Sequence, residues 1–193
     1  MKVIDKTKIS EKQANLLENE IKILTNTNHP NIIKLYKVMN DAQNTKYTYL
    51  ILEYCNGGSL QNNLDQYKSK YKKPFSVKLV QKIMKNILSG LKYLHDKGII
   101  HRDLKLDNIL VKYQNEIDLQ NINIYNAEIK IIDFNTSYLP NISGPMTVVG
   151  TIPNMAPSIV ENIYLPAQKY DEKVDIWSLG VLCYEMLFGK PLF

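Results

Sequence analysis

A chain of 193 residues can bury a sizeable core and has room for one domain or two small lobes. Its apolar share of 45% and charged share of 22% are those of an ordinary globular protein, and Cys55 and Cys183 give neither a disulfide framework nor metal-ligand spacing, so a reducing, cytoplasmic setting is expected. No apolar run approaches membrane-spanning length, the N-terminus has no apolar h-region, and the net charge of +5 comes from lysines that read as scattered, which favours solubility over nucleic-acid binding.

In chain order, "VIDK" reads as the end of a strand. "SEKQANLLENEIKILTNTNHP" then reads as a helix: Ser10 and Gln13 form a capping-box pattern, Leu17, Ile21 and Leu24 share a face, and Pro30 stops it. "IIKLYKVMN" and "YTYLILEYC" are β-rich runs around the polar turn "DAQNTK", which predicts a hairpin. "NGGSL" at 56–60 breaks the chain and marks the lobe boundary, after which the character changes to helix. Ser76 can cap a long helix with Val80, Ile83, Ile87, Leu91 and Leu94 on its apolar face and Gly98 at its end.

"HRDLKLDNIL", residues 101–110, packs five charged side chains and an Asn directly before an apolar strand, "NILVKY". A second short strand, "EIKIID", ends on Asp133. The Asn-rich stretch "QNEIDLQNINIYNAE" between them reads as a surface insertion, and "EKVDIWSLGVLCYEMLFGK" as a helix apolar enough for the core on nearly every face.

These pieces resemble the protein kinase family. "HRDLKLDN" is similar to its catalytic loop, "IIDFN" to its metal-binding DFG motif, "GTIPNMAPS" to the segment ending in APE, and "DIWSLG" to the helix that anchors the loop. The resemblance implies an α+β fold of two lobes: a partial small lobe, 1–55, β-rich with one helix, and a partial, mostly helical large lobe, 56–193. It implies a serine/threonine protein kinase using ATP and Mg²⁺ on a protein substrate with a Ser/Thr acceptor, under a possible upstream activating kinase, with neither nucleic acid nor membrane as partner.

By the same resemblance Asp103 is the catalytic carboxylate and Lys105 offsets charge on the transferred group, while Asn108 and Asp133 supply hard oxygen ligands to metal. Lys2 is the ATP-binding lysine and Glu20 its helix partner, with Lys6 or Lys8 and Glu18 as alternatives. Leu52, Glu53, Cys55, Ser59 and Leu110 complete the nucleotide side, Leu52 at the back of the adenine pocket and the backbone of Glu53 and Cys55 on the adenine edge. His101 resembles a member of a core stack with Leu24, Leu35 and Phe134 rather than a general base. Arg102 implies pairing with a phosphate on the activation loop, at Thr147 or, second, Ser143; Thr151 matches a Thr that touches the catalytic Asp.

The chain departs from the family pattern in several places. No Gly-rich loop precedes Lys2 and the chain stops soon after "DIWSLG", so truncation at both ends is expected. Asn135 replaces the Gly of DFG, where Asn tolerates unusual backbone angles; Ser158 replaces the Glu of APE, Asn154 a common Tyr, and Ser59 a frequent acid. These departures keep open a second reading, a pseudokinase-like binding or scaffold module, and a third, an inactive gene fragment.

Overall fold

The structure, a computed structural model, describes residues 1–40, 46–139, 149–161 and 171–193. The small lobe is an antiparallel sheet with one helix. Strand β1 (Lys2–Asp5) lies at an edge, β3 (Tyr47–Leu52) in the centre and β2 (Leu35–Asn40) on the other side. Leu50 pairs with both Lys2 and Val38 and is fully buried, so the centre of the sheet carries its apolar contact.

Helix α1 (Glu11–Thr25) begins where Ser10 accepts the Gln13 N–H and the Gln13 side chain accepts the Ser10 N–H, a reciprocal cap that contributes about 1 kcal/mol. It ends at Thr25, short of Pro30, because Asn26 turns back and its side-chain amide donates to the Lys22 carbonyl at 2.8 Å. Its buried residues are Glu20, Ile23 and Leu24, whereas Leu17 and Ile21 are only half-buried. The expected apolar stripe is therefore rotated. Leu17 and Ile21 line an open groove toward Val38, and the helix drives its C-terminal half, with the carboxylate of Glu20, into the molecule.

The large lobe is helical. Helix α2 (Leu60–Tyr71) is capped by Ser59, and α3 (Val77–His95) by Ser76, whose hydroxyl oxygen accepts the Leu79 N–H. The five residues expected on the apolar face of α3 are all buried. Each such aliphatic side chain contributes about 1.5–3 kcal/mol of transfer free energy, which makes α3 the spine of the lobe. Strands β4 (Ile109–Lys112) and β5 (Glu128–Ile131) form a two-stranded antiparallel ribbon packed on it.

Three expectations need correction. The 114–128 stretch is not a bare surface insertion: it forms α4 (Glu116–Asn121) and a 3-10 turn (Ile124–Asn126), and it buries Ile124 in the core. Its Asn content has a physical use, since the buried Asp118 carboxylate accepts the side-chain amides of Asn115 and Asn123 at 2.9 and 2.6 Å. After the short helix α5 (Pro157–Glu161), helix α6 (Lys173–Phe188) is core-facing on one side only, with Ile176, Trp177 and Phe188 exposed. Finally, Asn135 is not among the left-handed residues; the unusual angle falls two positions earlier, on Asp133, at φ 63°.

Candidate active site

Loop 101–108 lies between the lobes' elements and is held from three directions. From α6, the buried Asp175 carboxylate accepts the backbone N–H groups of His101 and Arg102 at 2.9 and 2.8 Å and the His95 ring at 2.8 Å. Arg102 needs that grip, because its φ of 69° costs a residue with a Cβ about 1–2 kcal/mol. Just past β5, the Ile132 N–H donates to the Asn108 carbonyl at 3.0 Å and ties the loop to the residue before Asp133. From below, Leu104 and Leu106 are anchored in the core.

His101 is spent on structure. One ring nitrogen, Nε2, donates to the Ile132 carbonyl at 2.9 Å, and the other, Nδ1, accepts the Asp103 N–H at 3.3 Å. A carbonyl can only accept and an amide N–H can only donate, so the proton sits on Nε2 and no lone pair is left for base chemistry. Its ring meets Phe134 edge-on at 5.2 Å, in a core that also holds Leu24 and, half-buried, Leu35.

The structure gathers Asp103, Lys105, Asn108 and Thr151 into one hydrogen-bonded group. Thr151 donates its hydroxyl to Asp103 Oδ1 at 2.7 Å and accepts the Lys105 ammonium at 2.9 Å. Lys105 also lies 3.2 Å from Asp103 Oδ2, and the Asn108 amide donates to the same oxygen at 3.0 Å. Burial raises the Asp103 carboxyl, but the Thr151 hydroxyl and the Lys105 ammonium outweigh it and hold it below its ordinary value.

Lys2 reaches Glu20, not Glu18: its ammonium lies 3.0 and 2.7 Å from the two Glu20 oxygens, while Glu18 faces solvent beside Lys22. Lys8 pairs loosely with Asp5 at 4.0 Å and Lys6 is exposed on the same turn. Burial is the largest influence on Glu20 and raises its carboxyl, with Lys2 pulling the other way.

The hinge residues come against β4. Gly57 donates its N–H to the Val111 carbonyl at 2.9 Å, and a Cβ at this position would stand 2.6 Å from that same oxygen, so only glycine permits the approach. This docking bridges Ser59 to Leu110, and Leu52, Cys55 and Leu110 are each half-buried. The N–H of Glu53 already donates to the Lys34 carbonyl at 2.8 Å, so its backbone offers a ligand the carbonyl. Its side chain turns away to Lys112 and Lys130, at 2.8 and 3.1 Å. Burial pushes the Cys55 thiol up to about 11. The Ser59 hydroxyl oxygen is engaged in capping α2.

Asp133 and Asn108 answer the question of metal. Among the described residues Asp133 Oδ1 is buried without a hydrogen-bond partner, a costly condition for a carboxylate that a cation relieves. Asn108 spends its amide nitrogen on Asp103 and keeps its side-chain oxygen as an acceptor. Among the described residues no three His, Cys, Asp or Glu side chains form a metal cage. Two oxygens suit Mg²⁺, which draws its remaining ligands from phosphate and water.

Thr147 and Ser143 lie outside the described residues. Arg102 donates its Nε to the Thr136 carbonyl at 2.5 Å and sets its guanidinium over the Tyr138 ring. Asp175 was not singled out from the sequence as a site residue. A carboxylate in the first turn of a mostly apolar helix, inside "DIWSLG", was the available signal.

The family model described as Protein kinase domain matches residues 1–193. The chain is 41% identical to Calcium-dependent protein kinase 5 of Plasmodium falciparum (isolate 3D7), over all of this chain and 30% of the relative. It is 36% identical to Serine/threonine-protein kinase Aurora-1 of Arabidopsis thaliana, over all of this chain and 57% of the relative. To Serine/threonine-protein kinase 33 of Mus musculus it is 37% identical, over all of this chain and 37% of that protein. The chain thus spans between 30% and 57% of the length of these relatives. With the motif residues converging as described and the family model covering its full length, the chain belongs to the protein kinase family.

Proposed function

We propose that the protein is a serine/threonine kinase that transfers the γ-phosphoryl group of Mg·ATP to a hydroxyl of a protein substrate. The observation that carries this reading is the Asp103–Thr151–Lys105–Asn108 group beside a buried, unpartnered Asp133 oxygen. Mg·ATP, when bound, supplies the phosphoryl group and most of the neutralising charge.

The chain's own residues position and balance. Asp103, held ionised at neutral pH, accepts the hydrogen bond of an acceptor hydroxyl and orients its oxygen. Its lowered basicity makes it chiefly a positioning group, which takes the proton as the hydroxyl becomes acidic. Lys105 places a positive charge beside it, and Thr151 fixes both side chains in one geometry. Asn108 and Asp133 would hold the metal, and Lys2, aimed by Glu20, would meet the phosphates. The hinge carbonyl of Glu53 and the backbone of Cys55 would take the adenine edge between Leu52 and Leu110.

A phosphate placed on Thr147 by an upstream kinase belongs to the same reading. What supports it is Arg102, whose guanidinium lies on the segment leading toward that position. The unpaired thiols of Cys55 and Cys183 support a reducing, cytoplasmic setting. The relatives named above are all kinases by name, which favours catalysis over a scaffold role. The test is Mg²⁺-dependent nucleotide binding followed by calorimetry. Asp133→Asn should weaken it about tenfold or more, and equal affinity in wild type and variant would refute the metal assignment.

A further inference from the structure

Between Gln66 and His95 the sequence has eight lysines and no acid, more positive charge than the whole chain's net +5. The lysines that read as scattered are thus concentrated on α2, α3 and the turn joining them. Lys70, Lys72, Lys73, Lys78 and Lys85 are exposed, and none of them is in a salt bridge among the described residues. Lys78, Lys82 and Lys85 recur at helical spacing along one flank of α3.

Beside these lysines lies a hollow of about 380 Å³ between α2, the start of α3 and the 121–125 turn. Tyr67, Tyr71, Tyr125, Ser76, Asn121 and Asn123 contribute to its walls, and no carboxylate does. The 121–125 turn itself holds no acid, and on the preceding α4 Asp118 is buried and bonded to Asn115 and Asn123. Lys70 stands over Tyr71 at 5.4 Å and Lys82 over Tyr125 at 5.5 Å, so an ammonium caps two of the three rings.

We propose that this hollow docks an acidic segment of a protein partner, with one apolar side chain in the tyrosine-lined floor and carboxylates on the lysine rim. The charge match is the first argument: a concave apolar floor with an uncompensated rim of one sign selects the opposite sign and excludes its own. The ring faces are the second. Tyr67 packs on Tyr71 at 4.6 Å and on Phe75 at 5.1 Å, and the lysines cover the others. Each of the three rings is thus engaged on at least one side, which leaves less room for stacked bases, the feature a single-stranded nucleic-acid site needs. The hollow shares no residue with the phosphoryl-transfer group, and the proposal does not depend on that function.

The experiment is fluorescence anisotropy of the whole chain with a labelled Glu-Glu-Leu-Glu-Glu peptide, its Lys-for-Glu counterpart, and an oligothymidine strand. The acidic peptide should bind saturably and weaken with salt, and the lysine peptide should not bind. Lys70→Glu/Lys82→Glu should weaken the acidic peptide about tenfold or more, and Tyr125→Ala several-fold. The milder Lys70→Gln/Lys82→Gln pair gives the same direction should the reversal disturb folding, which circular dichroism monitors. Absence of saturable binding, or binding indifferent to these variants, would overturn the proposal. Tighter, equally variant-sensitive binding of oligothymidine would assign the surface to nucleic acid and overturn it as well.

Discussion

The carboxylate of Asp175 on α6 accepts the backbone N–H of Arg102 at 2.8 Å, a bond between residues 73 positions apart. It holds Arg102 in a left-handed conformation that would otherwise be uphill, and with it the orientation of Asp103 on the next residue. Asp175→Ala leaves the buried N–H groups of His101 and Arg102 without an acceptor, at about 1–3 kcal/mol each. Urea denaturation should show a loss of about 2–5 kcal/mol for Ala and a smaller loss for Asn, which keeps one acceptor oxygen. A change under about 0.5 kcal/mol in the Ala variant would mean that the loop is held some other way.

Thr151 couples Asp103 to Lys105 through one hydroxyl, donating to the first and accepting from the second. Thr151→Ala removes both bonds and should lower kcat about ten- to a hundredfold with KM for nucleotide nearly unchanged. Thr151→Ser keeps the hydroxyl and should recover most of the rate. If Ser and Ala are equally impaired, the threonine methyl rather than the hydroxyl is what the site requires.

Two carboxylates give opposite pH signatures. Burial raises Glu20 above its ordinary 4.5, so the folded chain binds that proton more tightly than the unfolded chain. Stability from this group therefore falls as pH rises from 4.5 through the raised value. Asp103, although burial pushes upward, is held below its ordinary 3.8 by Thr151 and Lys105. Its contribution is present above 3.8 and is lost as pH falls through the lowered value. Chemical denaturation across pH should show Glu20→Gln gaining on wild type above 4.5, and wild type losing its advantage over Asp103→Asn below 3.8. The reverse sign in either series would show that the assigned burial or bonding does not govern that group.

Burial also sets the behaviour of Cys55. A thiol moved from 9.0 to about 11 carries roughly a hundredfold less thiolate at neutral pH. Iodoacetamide labelling at Cys55, read by peptide mass spectrometry, should be slower than that of glutathione by about that factor. Labelling as fast as glutathione would contradict the burial of this hinge residue.

Local signals carried much of the fold. Ser10 with Gln13, and Ser76 before an apolar stripe, name their helices because capping and periodicity act within a few residues. The Leu17–Ile21 stripe was misplaced because tertiary docking, driven by Glu20 and Ile23, rotates the helix away from its most apolar face. Helix α2 was not delimited, since a segment with Gln, Asn and Lys at half its positions buries only Leu60, Asn63 and Leu64 among its own residues. The 114–128 stretch misled because its asparagines bond to a buried Asp118 and Ile124 packs into the core, contacts that composition does not carry. At the site, motif order pointed to the residues, but the fully bonded ring of His101 and the grip of Asp175 exist only in three dimensions.

The central claim is that Asp103, held beside Lys105 and Thr151, orients the hydroxyl that receives the phosphoryl group. The most direct measurement is transfer of the γ-phosphoryl group of Mg·ATP to a serine- and threonine-containing protein by wild type and Asp103→Asn, with nucleotide affinity measured on both. The expected result is a rate loss of about a hundred- to ten-thousandfold in the variant and a nucleotide Kd within about twofold of wild type. Equal transfer by the two proteins would contradict the assignment of Asp103.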